Sequence, residues 1–199
     1  QQQWPSVLIN ASAIGIYGDR GEEILSESAV VGQGFAAALC YDWEAAASLF
    51  EAHAVRVCLL RIGIVLDADG GALKQMLPAF RFGLGGRMGT GKQYMSWISR
   101  RDLVRLILFL LMHPGANGAC NGVVPEPVTN REFAATLAAC LGRPAFLPMP
   151  ALLLRLLFGE MADALLLSSQ RVVPEKVMRL GFCYENRELR ATLEKILKK

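Results

Sequence analysis

The sequence has 199 residues and a formal net charge of +3, with 53% hydrophobic and 20% charged residues. This composition is too apolar for a disordered chain, and the length allows one domain with an appendage. The charges are scattered, which excludes a basic nucleic-acid-binding stripe or a polybasic membrane arm. The longest apolar runs, 106–112 and 151–157, are much shorter than the ~20 residues of a membrane-spanning helix.

The five cysteines are odd in number and widely spaced, and no two form a C-x-x-C pair. They predict neither a disulfide framework nor a zinc ribbon. His53 and His113 are the only histidines, so we expect no metal site. No signal peptide is recognisable, and we expect a cytoplasmic protein. We also expect a small-molecule substrate, no nucleic-acid partner and no membrane association, with a homodimer as the possible assembly.

The predicted elements alternate between strands and helices until the last third, which is mostly helical. The predicted strands are 6–9, 55–66, 94–98 and 120–124. The predicted helices are 35–52, 72–82, 101–112, 129–141, 151–158, 174–180 and 187–197. This alternation predicts an α/β fold with a parallel sheet.

Several polar residues stand at predicted element boundaries. Thr129 or Asn130 caps the helix over 129–141, Asn186 caps the last helix, and Asp102 is the predicted N-cap of the helix that it opens. Asp67 and Asp69 flank a Gly-Gly pair and predict an Asx-type turn rather than a metal site.

Residues 86–92 read G-R-M-G-T-G-K, which fits the opening of a Walker A loop. The residue that follows is Gln93 instead of a magnesium-binding Ser or Thr, and the flanking pattern is not strand–loop–helix, so we exclude an NTPase. Two interpretations remain: a flexible loop, or a binding lip in which Arg81, Arg87 and Lys92 hold an anionic substrate.

Residues 10–18 (N-A-S-A-I-G-I-Y-G) directly follow the first predicted strand. Ligands of doubly wound sheets bind beyond the carboxyl ends of the strands, where small residues let a cofactor ring approach. The hydroxyl of Ser12 suits such a site. The alternative is an ordinary turn.

Three segments occur in the order found in extended short-chain dehydrogenase/reductases, which they resemble: S-A with Y-G at 12–18, R-I-G-I-V-L at 61–66, and Q-Y-M-S-W-I-S-R-R-D at 93–102. Segments 39–46, 80–86 and 147–197 are similar to one epimerase-like branch, whose members are sometimes labelled SulA-type cell-division inhibitors. The resemblance implies a Rossmann-like doubly wound parallel sheet. Residues 1–146 would be the C-terminal part of the dinucleotide-binding domain, and 147–199 a small helical domain.

The resemblance also implies a nicotinamide-dependent epimerase or reductase with an unknown substrate, for which a nucleotide sugar is one candidate. NADP is favoured as cofactor, and NAD stays open. The implied cofactor-binding residues are Ala11, Arg61, Gly63 and Val65. The implied substrate-binding residues are Arg87, Lys92, Ser96 and Trp97. For Trp97 a packed core aromatic is an equal alternative.

The sequence departs from the family in its cofactor loop. The glycine-rich fingerprint of the first β–α turn is absent, and the resemblance starts at the fifth strand of the family. We therefore expect that four β–α units, roughly 100 residues, precede this part in a longer protein. A chain without them would bind the cofactor weakly or not at all.

The second departure concerns the catalytic pair. The family uses Tyr-x-x-x-Lys on the helix after the Ser12 segment, and here Cys40 and Glu44 occupy those positions. Ser12, Cys40 and Glu44 are the predicted catalytic residues. If the alignment with the family is anchored on Tyr17 and Gly18 instead, the position of the family's catalytic Ser falls on Ala13. Cys40 and Glu44 could relay a proton, or they are a small buried apolar residue and a structural carboxylate. A non-catalytic cofactor-binding or regulatory protein is therefore the rival hypothesis.

Overall fold

The computed structural model of the chain describes residues 4–198, apart from the side chain of Phe158. The described strands are β1 (Val7–Ala13), β2 (Ile24–Leu25), β3 (Arg56–Ile62), β4 (Ile64–Leu66), β5 (Tyr94–Met95), β6 (Trp97–Ser99), β7 (Gly118–Gly122), β8 (Val128–Thr129) and β9 (Arg171–Val172). The described α-helices are α1 (Phe35–Ser48), α2 (Gly71–Arg81), α3 (Arg100–Met112), α4 (Asn130–Cys140), α5 (Ala151–Phe158), α6 (Glu175–Arg179) and α7 (Leu189–Leu197). Short 3₁₀-helices cover Ile14–Tyr17 and Leu49–His53, and a π-helix covers Ala162–Leu167.

The central sheet is parallel, in the order β1-β3-β7. β1 and β3 pair along their whole length, from Val7 opposite Arg56 to Ala13 opposite Ile62. Helix α1 makes the connection from β1 to β3, as parallel neighbours require. The sheet and its helical crossovers confirm the predicted α/β fold.

Gly63 separates β3 from β4 within the run that was predicted as one strand. Its amide donates to the Gly122 carbonyl (3.2 Å), whereas the next amide, of Ile64, donates to the Ser96 carbonyl (2.9 Å). The chain therefore leaves β7 and takes β6 as its new parallel partner. A Cβ at Gly63 would lie 2.5 Å from the Ser96 carbonyl oxygen, so this crossing needs a glycine.

The C-terminal part of the chain packs into the same cores as the rest. Leu189 and Leu193 of α7 share a buried cluster with Phe133 and Leu137 of α4. Strand β9 pairs with β2 in parallel. The division into domains 1–146 and 147–199 remains a prediction, and its outer limits at residues 1 and 199 lie outside the described residues.

Two of the three predicted helix caps are wrong. Thr129 caps α4 in a reciprocal capping box with Glu132, as predicted. α7 begins after Glu188, whose carboxylate accepts from two backbone amides, and not after Asn186. Ser99, rather than Asp102, caps α3.

Asp102 lies inside the first turn of α3 and is fully buried. Asn186 donates to it through both its backbone and its side-chain amide. These two polar residues therefore pair across the fold instead of capping their own helices. The Asx turn is confirmed, because the Asp67 carboxylate accepts from the backbone amide of Asp69 (2.9 Å).

Within residues 4–198, no helix combines the length and the apolar character needed to cross a membrane. The same residues contain no group of three His, Cys, Asp or Glu side chains that could hold a metal ion.

Candidate active site

Ser12 lies near the carboxyl end of β1, directly opposite Arg61 of β3. Its hydroxyl donates to Oε1 of Glu44 at 2.7 Å. Glu44 reaches this point because the buried face of α1 packs against the sheet, and Cys40 stands one turn earlier on that face. The structure thus brings together two of the three predicted catalytic residues, Ser12 and Glu44.

Glu44 and Arg61 form a buried ion pair held at two points. Arg61 donates from Nε to Oε1 (2.9 Å) and from Nη2 to Oε2 (2.8 Å) of the carboxylate. Burial by itself would lower the pKa of Arg61, but the hydrogen bonds that its guanidinium donates to Glu44 and Tyr17 outweigh burial, and the pKa is raised. Arg61 is therefore a permanent positive charge inside the fold, and Glu44 compensates it.

Tyr17 continues this network. Its hydroxyl accepts from Nη1 of Arg61 (2.9 Å) and donates to Oδ1 of Asn121 on β7 (2.8 Å). Burial is the main reason that the pKa of Tyr17 is raised. The side chain is fully buried, so its hydroxyl faces the protein interior.

Asn121 connects the network to the C-terminal segment, because its side-chain amide donates to the carbonyl of Val173 (2.9 Å). Its backbone amide donates to Oε1 of Glu27 (3.0 Å). We call Ser12, Tyr17, Glu44, Arg61 and Asn121 the Arg61 cluster. Every member is buried.

Sequence reasoning identified Ser12, Glu44 and Arg61 but missed the roles of Tyr17 and Asn121. The available signal was an arginine within a run of buried apolar strand residues, since a buried guanidinium requires several acceptors. Nothing in the sequence indicates which distant side chains supply them.

Cys40 lies in an apolar cluster with Ile16, Tyr17 and Leu25. Within the described residues its thiol forms no hydrogen bond with Ser12 or Glu44. This is the environment of a small buried apolar residue. The catalytic role of Cys40, like those of Ser12 and Glu44, remains a prediction.

The four predicted cofactor-binding residues have different environments. Ala11 is exposed at the end of β1, and Arg61 is the buried centre of its cluster. Gly63 lies so close to the backbone of Ser96 that it leaves no room for a Cβ. Val65 is partly buried and packs against the hydrophobic cluster that contains Cys58 and Leu60 of β3.

The surface at the end of β1 is open, because Ala11 is exposed and the residues near it are small. A Cβ added at Gly15, beyond that end, would meet only the Cβ of Ala36 within 4 Å, at an ordinary 3.5 Å.

The predicted substrate-binding residues do not converge. Arg87 folds back to donate to the Thr90 carbonyl (2.8 Å), and Lys92 is exposed. Ser96 is fully buried, where its hydroxyl donates to the Gln170 carbonyl (2.7 Å). Trp97 is 1% exposed, and its ring Nε1 has no hydrogen-bond partner among residues 4–198. All four substrate assignments remain predictions.

The glycine-rich loop is fastened to its surroundings rather than free. The amide of Met88 donates to Oδ1 of Asn130 (2.7 Å), and Gly89 donates to the Met149 carbonyl (2.9 Å). Met149 in turn donates to the Arg87 carbonyl (2.9 Å). Two of the loop amides that would hold phosphate in a Walker A loop are therefore already engaged, which agrees with excluding an NTPase.

Comparisons with known proteins agree with this architecture. Residues 149–196 match the family model "Domain of unknown function (DUF1731)". The chain is 43% identical over 181 residues to the epimerase family protein Mb2239 of Mycobacterium bovis, covering 91% of this chain and 60% of that protein. The crystal structure of human epimerase family protein SDR39U1 (isoform 2) with NADPH has a TM-score of 0.87 at 32% identity, over 98% of this chain and 66% of that one.

The fold is shared more widely. UDP-N-acetylglucosamine 4-epimerase from Bacillus cereus superposes with a TM-score of 0.74 at 13% identity, covering 94% of this chain and 62% of that one. The sheet, its crossovers and these matches define a Rossmann-like α/β protein. The matches support an extended short-chain dehydrogenase/reductase of the epimerase-like kind, and the chain spans about 60% of the length of the M. bovis relative.

Proposed function

We propose that the protein binds a nicotinamide cofactor, preferentially NADP(H), and acts as an epimerase or reductase on a small molecule, for which a nucleotide sugar is one candidate. The observation that carries the proposal is the open end of β1 beside the charged Arg61 cluster, in a chain of this family. The human relative, described with NADPH, supports the choice of cofactor. All five cysteines are free, which supports a reducing compartment such as the cytoplasm.

The residues that would hold the nicotinamide end are Ala11, Ser12 and Gly63 to Val65. The bound cofactor would supply hydride transfer. The Ser12 hydroxyl already donates its one hydrogen bond to Glu44, so its oxygen can only accept a further hydrogen bond. It would therefore orient a donor such as an amide or hydroxyl group of the cofactor or substrate.

A second candidate is a cofactor-dependent regulatory protein without turnover. The observation that favours it is the pairing inside the Arg61 cluster: the carboxylate of Glu44 faces Arg61, where the family would present a lysine next to a catalytic tyrosine. Tyr17 is buried and cannot substitute for that tyrosine at the surface.

Calorimetric titration with NADPH and NADH tests cofactor binding, on protein whose intact mass shows that the four expected β–α units precede these 199 residues. We expect saturable binding, tighter for NADPH. Ser12→Ala should weaken it about three- to tenfold, as expected for one lost hydrogen bond. Ser28→Ala, at an exposed serine, is the matched control. Protein that binds neither cofactor would contradict the proposal.

Turnover then separates the two candidates. Nicotinamide absorbance is followed with a panel of nucleotide sugars and small carbonyl compounds, and NMR of the same mixtures detects any epimer formed. A net absorbance change supports a reductase, whereas an epimer formed at unchanged absorbance supports an epimerase, because the hydride returns to the product. Tight NADPH binding with neither signal for any compound, and the same affinity in Cys40→Ala, would favour the regulatory protein.

A further inference from the structure

We propose that a cleft that shares no residue with the Arg61 cluster binds a small organic anion. The cleft has a volume of about 550 Å³ and lies beyond the carboxyl ends of β4 and β6, between α2 and α7. This volume is in the range of small-molecule sites. Its lining residues are all different from those of the Arg61 cluster and of the proposed nicotinamide site.

One wall of the cleft is fixed by the buried carboxylate of Asp102. This carboxylate accepts from the Ser99 hydroxyl (3.0 Å) and from the backbone amides of Glu185 (3.0 Å) and Asn186 (2.9 Å). The side-chain amide of Asn186 donates to it as well (3.0 Å). The segment before α7 is thereby held against the start of α3, so this wall is formed before any ligand arrives.

The same network positions a cation. Asn186 is buried, and its Oδ1 accepts from Nζ of Lys195 on α7 at 3.2 Å. An amide oxygen does not neutralise an ammonium group. Lys195 therefore lines the cleft with no ion-pair partner among residues 4–198.

The remaining charges of the cleft largely cancel. Arg100 pairs with Asp67, and Arg101 pairs with Glu185 at 2.7 Å. Three charged lining residues form no ion pair within residues 4–198: Arg81, Lys195 and the carboxylate Asp69. Two free cations against one free carboxylate favour an anionic ligand.

The lining of the cleft also includes apolar residues. Leu66 is buried there, and Ile196 and Leu197 of α7 line it next to Lys195. A ligand with an apolar body and one anionic group, a phosphate or a carboxylate, would satisfy both the cations and this surface. An inorganic ion would use the cations alone.

The test is titration of the protein with phenyl phosphate, benzoate and inorganic phosphate, followed by NMR shifts and calorimetry. We expect saturable binding of an aromatic anion, at least about fivefold tighter than inorganic phosphate because the ring contacts the apolar lining residues. Lys195→Gln and Arg81→Gln should each weaken binding about five- to tenfold, and Asp69→Asn should tighten it about twofold. The matched control is Lys198→Gln, at an exposed lysine outside the lining, which should change nothing.

Three outcomes would overturn this inference. Absence of saturable binding removes the site. If Lys195→Gln and Lys198→Gln lose the same affinity for phenyl phosphate, the anion is attracted only by the overall charge of the protein. Competition between NADPH and phenyl phosphate would assign the cleft to the cofactor. Because the two sites share no residue, failure of NADPH binding leaves this titration interpretable.

Discussion

Ser12 and Glu44 are 32 residues apart in the chain, yet their side chains meet at 2.7 Å where β1 ends beneath α1. A short hydroxyl–carboxylate hydrogen bond at this position gives Ser12 a fixed orientation. It also makes Glu44 the common acceptor for a strand-end hydroxyl and a buried guanidinium.

Removing the charge of Glu44 should be costly. In Glu44→Gln the guanidinium of Arg61 stays buried without its counter-charge, and we expect the free energy of unfolding to fall by about 3–5 kcal/mol. Urea denaturation of the wild type and the variant measures this difference in the free energy of unfolding. The double variant Glu44→Leu/Arg61→Met should recover most of the loss, because no buried charge is then left alone.

The matched control is Arg155→Gln, which breaks an exposed ion pair with Asp163. Its free energy of unfolding should stay close to that of the wild type, since exposed pairs contribute little. If Glu44→Gln were equally harmless, the buried pair would not be a structural requirement of the fold.

Gly63→Ala should destabilise the protein by about 1–3 kcal/mol or more, because the added Cβ would overlap the backbone. It would lie 2.5 Å from the Ser96 carbonyl oxygen and 2.6 Å from Cγ1 of Val123. Gly70→Ala is the control, since a Cβ there meets nothing within 4 Å. A change in NADPH affinity with an unchanged melting temperature would show that Gly63 is required by the cofactor rather than by the fold.

Ser96→Ala should loosen the C-terminal segment. The Ser96 hydroxyl donates to the Gln170 carbonyl (2.7 Å) and accepts from the Val172 amide (2.9 Å), so its loss leaves two backbone groups without their partner. We expect a cost of about 1–3 kcal/mol. Hydrogen exchange at Val172 should accelerate, and unchanged exchange there would contradict this function of Ser96.

Stability should depend on pH through Asp102. Burial by itself would raise the pKa of Asp102, but hydrogen bonds from the Glu185 amide, Asn186 and Ser99 outweigh it and hold the pKa below the ordinary value of 3.8. A pKa that is lower in the folded state than in the unfolded state stabilises the fold at any pH above the unfolded-state pKa. This stabilisation is lost as the pH falls through the folded-state pKa.

As the pH is lowered below about 4, the free energy of unfolding of the wild type should therefore fall more steeply than that of Asp102→Asn. Denaturation at several pH values measures both slopes. Parallel slopes would exclude Asp102 as the group responsible.

The sequence predicts local features of this fold well. The bounds of the helix over 151–158 are reproduced, and Thr129 caps α4 as expected. Both depend on neighbouring residues, namely apolar spacing after a proline and a Thr-x-x-Glu pattern. The resemblance to a family likewise rests on contiguous motifs.

Features that depend on distant partners were not predictable. Asn186 carries a good capping side chain, yet it is used by Asp102, which lies 84 residues away. Likewise, no local pattern around Arg61 indicates that Glu44 and Tyr17 accept the hydrogen bonds of its guanidinium, and its cofactor-binding role stays a prediction. Propensity describes what a residue can do locally, while tertiary packing decides which of its options is realised.

The unpartnered indole of Trp97 gives the protein an internal optical probe. Of its three tryptophans, Trp4 and Trp43 are 40% and 55% exposed, whereas Trp97 is 1% exposed and donates no hydrogen bond within the described part of the chain. An indole that meets neither water nor a polar acceptor emits at shorter wavelength than one in solvent. The blue edge of the emission spectrum should therefore report the strand junction at Gly63 and Ser96 selectively. The red edge of the spectrum should report the two exposed tryptophans. A loss of emission at the blue edge alone would therefore show partial opening of the strand junction without any added label.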